Sequence, residues 1–492
     1  MASIVGLGVG IAPPAMALAG ATTAAVLTFG LAAGSGTQGY RFIVAGIGVG
    51  AVFGAVTQLM LARVAIDTAN AAYPWTVGSL NARPASAVQL LGIGLALGLV
   101  AALALARSLT LLRFKDATAS GLGTAVKARR LQVLLLSVVL TALAVAVAGP
   151  VGLVALIGPE IARSLSSARH VPILAATLAG GAGDGAGRFS GPHAVCPHRD
   201  SRGDRHRRGG WPLATLDTNA PATEPPMISL PTLSTDALRM SYGQRQVIHD
   251  LGVSLPSGQV TAIVGPNGCG KSTLLSGLAR LHKPDSGAVL LNGHDIAQMP
   301  ARKLATKLAL LPQEAVAPEG LTVTELIRFG RQPHQGWLRQ WSAEDQQVVH
   351  HALAAAGLEA LADRPLEALS GGQRQRAWIA MTIAQQTPLL LLDEPTSALD
   401  LGHQIEVFEL VRDLACHGRT VVMVLHDLAS ACRYADHLIA MRDGQIVAQG
   451  APAEVVTPAL VRELYQVECT LLLDPDTGSP LLANVRRAAP PV

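Results

Sequence analysis

The sequence predicts a helical, membrane-spanning first half followed by an α/β nucleotide-binding second half, and three observations carry this reading. Half of the 492 residues are hydrophobic, 15% are charged and 3% are aromatic, averages that conceal two populations. Before about residue 180, Ala, Leu, Gly and Val dominate and charges are sparse; after Met227, charged residues interleave with strand-like and helix-like patterns, as in a soluble domain. Within the second half, "VTAIVGPNGCGKSTLLSGL" sets a β-branched strand, a glycine-rich loop and an apolar helix in succession. The expected divisions are a partial multi-span membrane domain over residues 1–183, a polar linker over 184–226 and the α/β domain over 227–492.

Apolar runs of about 20 residues, the length that crosses a bilayer, occur near 15–34, 41–62, 87–106 and 131–149, with further apolar turns at 150–163 and 171–182. The opening "MASIVGLGVGIAPPAMALAG" lacks the basic region of a signal peptide and is read as part of the membrane domain. Arg107, Arg113, Lys115, Lys127, Arg129 and Arg130 crowd the connection between the third and fourth runs, which places that connection on the cytoplasmic side and the loop around Trp75 on the other. Small residues, as in "AGIGVGAVFGAV", let helices approach closely.

"WTVGSL", "LRFKDATASGLGTAVKARRLQ" and "VAGPVGLVALIGPEIARSL" resemble the permease family that imports iron-siderophore, haem and cobalamin complexes. The resemblance covers about Ala15–Gly183 and implies that Lys115–Gly123 forms a short cytoplasmic helical element pressing on an ATPase. Leading spans usual in that family are missing, and its usual Pro-His before "IAR" is here Pro159-Glu160, so the resemblance implies a partial permease.

Where the family continues with two more helices, this chain reads "GAGDGAGRFSGPHAVCPHRDSRGDRHRRGGWP". The genetic code permits "RDSRGDRHRRGGWP", with GC-rich codons displaced by one base, to read "TPVGIVTAVVGGP" and "GDGAGRF" to read "AMVLAD", so a reading-frame change near Gly183 is the expectation, checked by resequencing the DNA. His193, Cys196, His198 and His206 have no zinc-site spacing. The arginines could hold anionic lipid or nucleic acid; the favoured reading is a disordered tether, extended by Pro221, Pro225 and Pro226.

In the second half, Gly265 to Ser272 match GxxxxGK[ST]. Gly265, Gly268 and Gly270, with Pro266, Asn267 and Cys269 between them, let backbone N–H groups close around the phosphates of ATP. The helix start at Thr273 adds a favourable dipole, Lys271 reaches the outer phosphates, and Ser272 offers its hydroxyl to Mg²⁺. Alone, this loop leaves kinases, GTPases and motors open. "PLLLLDEPTSALD" adds a buried strand ending in two carboxylates, Asp393 to hold Mg²⁺ through water and Glu394 to polarise the attacking water.

"LEALSGGQRQRAWIAMTIAQQ" discriminates further, because Leu369–Gln373 reproduces the LSGGQ signature of ATP-binding-cassette proteins, which this half resembles over about Ile228–Leu482. The resemblance implies head-to-tail pairs in which Ser370, Gly371, Gly372 and Gln373 form an anion cradle for the γ-phosphate held by another copy's Lys271. It further implies that Tyr242 in "MSYGQR" stacks on adenine and that Gln313 in "LLPQE" links γ-phosphate and Mg²⁺ to the permease contact. By the same resemblance, Asp400 couples the two ATP sites and His426 contacts the γ-phosphate. "LTVTELIRFGRQPHQ", "HDLASACRYADHLIAMRDGQIVAQG" and "DPDTGSPLL" are most similar to ATPases of ferric-siderophore importers, including the enterobactin type, with haem and cobalamin importers as near relatives.

The implied function is ATP hydrolysis powering ferric-siderophore uptake across a bacterial inner membrane, the ATPase facing the cytoplasm, together with permease subunits and an extracytoplasmic substrate-binding protein. Alternatives are a haem or cobalamin importer, a non-transporting fusion relic with a folded ATPase, and a soluble cassette acting on nucleic acid or ribosomes. Against the last stand the membrane segments, the single cassette and a net charge of only +4 without a basic face in the second half. Five cysteines without CxxC or regular spacing fit a reduced setting.

Overall fold

The computed structural model describes residues 13–32, 39–67, 85–149, 231–336, 341–397, 399–475 and 477–488. The loop around Trp75, the apolar turns at 150–163 and 171–182, and the linker at 184–226 lie outside the described residues.

The first half is helical: α1 (Pro13–Ala32), α2 (Gly39–Ala62), α3 (Ala85–Leu111), α4 (Asp116–Gly121) and α5 (Val126–Ala148). In α2, α3 and α5 the apolar stretches Ile43–Ala62, Val88–Leu111 and Val126–Val147 run 20, 24 and 22 residues, enough to cross a bilayer. Within α1 the stretch Ala19–Leu31 is shorter, so three of the four expected spans reach that length among the described residues. Ile43, Ile47, Leu97 and Val100 are exposed, as side chains facing lipid would be.

Close helix approach occurs away from the glycines that suggested it. No atom lies within 4 Å of a β-carbon built at Gly48, Gly50 or Gly54, whereas one built at Gly94 or Gly98 would sit 2.1 or 2.3 Å from a methyl of Leu143 or Leu140 on α5. The basic connection is also shorter than its charges suggested. Arg107 lies inside α3, and Lys127, Arg129 and Arg130 lie inside α5, because both helices continue past their apolar stretches.

The second half begins with an antiparallel sheet built from β1 (Leu233–Tyr242), β2 (Arg245–Leu255), and later β4 (Ser286–Leu291) and β5 (His294–Asp295), in the order β2-β1-β4-β5. Between them come β3 (Val260–Val264) and α6 (Lys271–Leu278). There follow α7 (Ala301–Ala305), β6 (Leu308–Leu311), α8 (Val323–Phe329), α9 (Ala343–Ala355), α10 (Gly371–Ala384), β7 (Leu389–Asp393) and α11 (Leu401–Cys416). The chain continues through β8 (Thr420–Val424), α12 (Leu428–Tyr434), β9 (His437–Arg442) and β10 (Gln445–Gly450). It closes with α13 (Pro452–Val455), α14 (Pro458–Tyr465) and the hairpin β11 (Val467–Leu473) and β12 (Pro480–Arg487).

The central sheet has the order β10-β9-β3-β8-β7-β6, parallel from β9 to β6 with β10 antiparallel at the edge. Every residue of β3, β6, β7 and β8 is buried, which is why these strands read as continuous Val, Leu and Ile runs rather than alternating ones. Because β6, β7, β8 and β3 run parallel, their C-terminal ends lie at one edge, the edge where open α/β sheets bind ligands.

The two halves touch through α4 and the residues flanking it, and Arg107 of α3 donates to Gly336 O (3.2 Å). Phe114 packs edge-on against Phe329 (5.0 Å between centroids) and Trp378 (6.1 Å), and Lys115 pairs with Glu314. Gln385, the residue capping the end of α10, is fully buried and donates from Nε2 to Gly121 O (3.0 Å), Ala305 O (2.7 Å) and Leu308 O (3.3 Å). Gly123 has φ +84°, and a β-carbon there would press on Arg302 and Ala305 of α7 at 3.0–3.1 Å. The expected pressing element at Lys115–Gly123 is thus a helix seated on the α/β domain.

Candidate functional site

The glycine-rich loop leaves the end of β3 and turns into α6, whose N-cap is Gly270 in the left-handed region at φ +106°. Gly265, at φ +150°, lies so close to Met441 O that a β-carbon would be 2.1 Å from it, so the loop needs glycine there. Lys271 is only 5% exposed and donates from Nζ to Gly265 O (2.9 Å) and Pro266 O (3.0 Å). Those two carbonyls hold an ammonium group that a phosphate can take over. Cys269 is buried, and burial pushes its thiol pKa up, so it is an inert small residue at neutral pH.

Ser272, next along α6, donates from Oγ to Asp393 Oδ1 (3.0 Å) at the end of β7. Burial, aided by the adjacent Glu394 charge, raises the Asp393 pKa, while the Ser272 hydrogen bond opposes the shift. Ser272 is the one hydrogen-bond partner of the Asp393 carboxylate among the described residues. Glu394 is 8% exposed and has φ +49°, a conformation that non-glycine residues adopt at a cost of about 1–3 kcal/mol and that clusters at functional sites. Its carboxylate accepts from Gln313 Nε2 (2.7 Å), which follows β6, and pairs with His426 Nε2, which follows β8. Four strand ends therefore deliver Gly265–Ser272, Gln313, Asp393–Glu394 and His426 to one place.

A cleft of about 360 Å³ opens there, lined by Tyr242, Asn267, Gly268, Gly270, Lys271, Ser272, Thr273, Glu394 and His426. Tyr242 is half-exposed at the end of β1, and its ring leans on His282, 4.6 Å between centroids, presenting a flat surface at the cleft mouth. A second cleft of about 790 Å³ adjoins it, lined by Gly265–Cys269, Arg245, His426, Arg442 and Tyr465.

Ser370–Gln373 and Asp400 lie apart from this cluster, and no described hydrogen bond or ion pair joins them to Gly265–Thr273. Ser370 caps α10: its Oγ accepts from Gln373 N (3.3 Å), and Gln373 Oε1 accepts from Ser370 N (3.1 Å). Asp400 caps α11, accepting from His403 N (2.9 Å). Sequence reasoning missed Arg245, which lines both clefts, His282 behind Tyr242, and Gln385 beneath α4. The basic residue three after Tyr242 was a local cue for the first; the other two depend on contacts between remote segments.

Residues 248–397 match the ABC transporter family and residues 2–183 the FecCD transport family. The second half is 52% identical over 255 residues to the probable siderophore transport system ATP-binding protein YusV of Bacillus subtilis (strain 168), covering 52% of this chain and 93% of that protein. It is 48% identical over 263 residues to the ferric enterobactin transport ATP-binding protein FepC of Escherichia coli (strain K12), covering 53% and 97%. Identity to the hemin import ATP-binding protein HmuV of Thermobifida fusca (strain YX) is 41% over 254 residues, covering 51% and 87%. The chain belongs to the ATP-binding-cassette transporter family, an ATP-hydrolysing cassette joined to a membrane region of the FecCD transport family.

Proposed function

We propose that the chain is a multi-pass protein of the bacterial inner membrane whose cytoplasmic cassette hydrolyses ATP to drive import of a ferric siderophore. The observation that carries this is the seating of α4, from the FecCD-type region, on the buried amide of Gln385 at the far end of the signature helix α10. With 14 residues, α10 is a rod of about 21 Å, so a push at Ser370 is felt at Gly121. Siderophore cargo is favoured over haem because the siderophore-transport relatives are the more similar ones.

Within one copy, the amides of Gly265–Thr273 bind the ATP phosphates, Lys271 leaves its two carbonyls for the outer phosphates, and Tyr242 stacks on adenine. Glu394 accepts the proton of the attacking water, held in place by Gln313 and His426, and His426 also reaches the γ-phosphate. Ser272, Asp393 and Gln313 supply hard oxygen donors, and the buried Asp393 carboxylate without a cationic hydrogen-bond partner among the described residues fits a divalent cation such as Mg²⁺. When bound there, Mg²⁺ neutralises charge on the phosphates. A second copy closes head to tail, its Ser370–Gln373 turn capping the γ-phosphate and its Asp400 loop linking the two sites. Complete FecCD-type permease subunits and a periplasmic or lipoprotein substrate-binding protein are the remaining partners; nucleic acid is not one.

The test is uptake of ⁵⁵Fe-labelled siderophore in cells lacking their own importer ATPase, comparing the chain with Glu394→Gln, each with and without an intact FecCD-type permease. The expected result is uptake by the chain and, for Glu394→Gln, retained ATP binding with hydrolysis lowered by about two orders of magnitude or more. Near-normal hydrolysis by Glu394→Gln removes Glu394 from its role. Failure to restore uptake beside a working permease control makes the chain a non-transporting fusion, and uptake of haem instead reassigns the cargo.

A further inference from the structure

His403, in the first turn of α11, sits between two segments that the preceding reading assigns to action on a second copy. Its backbone N–H is held by Asp400 Oδ1 (2.9 Å), the N-cap of its own helix. Its ring lies against Gly372 of the signature turn, so closely that a β-carbon built at Gly372 would be 2.5 Å from the ring Cδ2 and 2.6 Å from Cγ. Nδ1 lies 3.1 Å from Glu406 Oε2; a carboxylate can only accept, so Nδ1 carries the proton. The same Glu406 oxygen is 3.5 Å from Arg376 Nε, six residues along α10 from Ser370. Side chain, backbone and ring contacts of one residue thus join the N-termini of α10 and α11.

We infer that His403 is a positioning residue that locks the Ser370–Gln373 turn and the Asp400 loop into one rigid face, so that both meet a partner's ATP site in register. The physical basis is preorganisation. Each N-terminus alone is a turn on a separate helix, joined to the other through a connection that runs across the sheet via β7. Binding ATP from the opposite side requires both turns to hold fixed places at once, and any freedom between them is lost on closure. A ring wedged on glycine, with its nitrogen tied to Glu406 and its amide tied to Asp400, removes that freedom beforehand. Gly372 is then required for two reasons, its approach to phosphate and its room for the His403 ring.

This inference rests on the assignment of Ser370–Gln373 as a trans-acting element, and the experiment separates the two. Full-length chains in nanodiscs are compared as wild type, His403→Ala, His403→Asn and Ser370→Arg. ATPase rate and thermal unfolding are measured for each, and binding of a fluorescent ATP analogue is measured on the Glu394→Gln background. For His403→Ala, kcat is expected to fall about tenfold while ATP-analogue affinity stays within about twofold and thermal stability is retained, because the loop that binds ATP in the same copy is untouched. His403→Asn keeps a donor near the Nδ1 position and recovers most of the rate. Wild-type turnover by His403→Ala beside an inactive Ser370→Arg overturns the inference alone. Loss of affinity or stability in proportion to kcat, or equal impairment of His403→Ala and His403→Asn, also overturns it, by making the residue structural or its hydrogen bond irrelevant. Normal turnover by Ser370→Arg overturns the underlying assignment, and the inference with it.

Discussion

At the scale of single residues, Asp393 shows stability set against chemistry. Its folded pKa is raised above the ordinary aspartate value, so the folded protein holds that proton more tightly than the unfolded chain. Ionised Asp393 therefore costs stability, and the cost grows as pH rises from the ordinary aspartate range through the raised value. Asp393→Asn removes the charge and keeps an acceptor for Ser272. Without nucleotide at neutral pH, it is expected to raise Tm by about 2–4 °C while abolishing divalent-cation-dependent ATPase activity. The Tm gain vanishes at acid pH, below the ordinary aspartate range, where both states are protonated; a thermal-unfolding series against pH checks this, and a lower Tm at neutral pH would refute it. Lys271, Ser272, Asp393 and Glu394 were legible because each belongs to a motif within one strand-to-loop junction. His282, behind Tyr242, was not legible, because its partner lies forty residues away on another element.

Elements are tied by one buried ion pair that no motif announced. Arg331, just past α8, donates from Nε to Asp345 Oδ1 (2.8 Å) in the first turn of α9, and from Nη1 to Ala384 O (3.0 Å) at the end of α10 and to Gln386 Oε1 (2.8 Å) just beyond it. Both side chains are at least nine-tenths buried. Asp345 also closes the capping box of α9 with Ser342, so one carboxylate caps a helix and neutralises an arginine. Burial pushes its pKa up, but Arg331 and Ser342 hold it below the ordinary range. Its stabilisation is therefore complete above the ordinary aspartate range and lost as pH falls through the lowered value. Asp345→Ala leaves Arg331 buried without its counter-charge, an expected loss of about 3–5 kcal/mol in denaturant unfolding; a loss under about 1 kcal/mol would place Arg331 in solvent. The buried strand types were readable from apolar runs such as "PLLLLD". The ends of α3 and α5 were not, since charged residues continue a helix as readily as they end a span.

On the scale of the whole molecule, the contact between the first half and the cassette runs from Arg107 of α3, which donates to Gly336 O (3.2 Å), to α4, and Gln385 is the side chain beneath α4 that is tested most cleanly. Gln385→Leu preserves bulk and burial while removing both N–H donors. It is expected to leave ATP affinity unchanged and to speed hydrogen exchange of residues 116–123 about three- to tenfold, the factor for one net hydrogen bond. Unchanged exchange, measured by mass spectrometry on the full chain, would remove Gln385 from the contact. The contact of Lys115–Gly123 with the cassette was legible through resemblance, but its receptor was not, since a glutamine in "AQQTP" has no local mark of a distant partner. What Gln385 grips at Gly121 is a main-chain oxygen on a residue without a side chain. Every polypeptide offers such an oxygen at every position, so this hold is indifferent to the spelling of the helix it receives. Whatever discriminates one membrane partner from another therefore falls to the side chains beside it, the Phe114 ring packed on Phe329 and Trp378 and the Lys115–Glu314 charge pair.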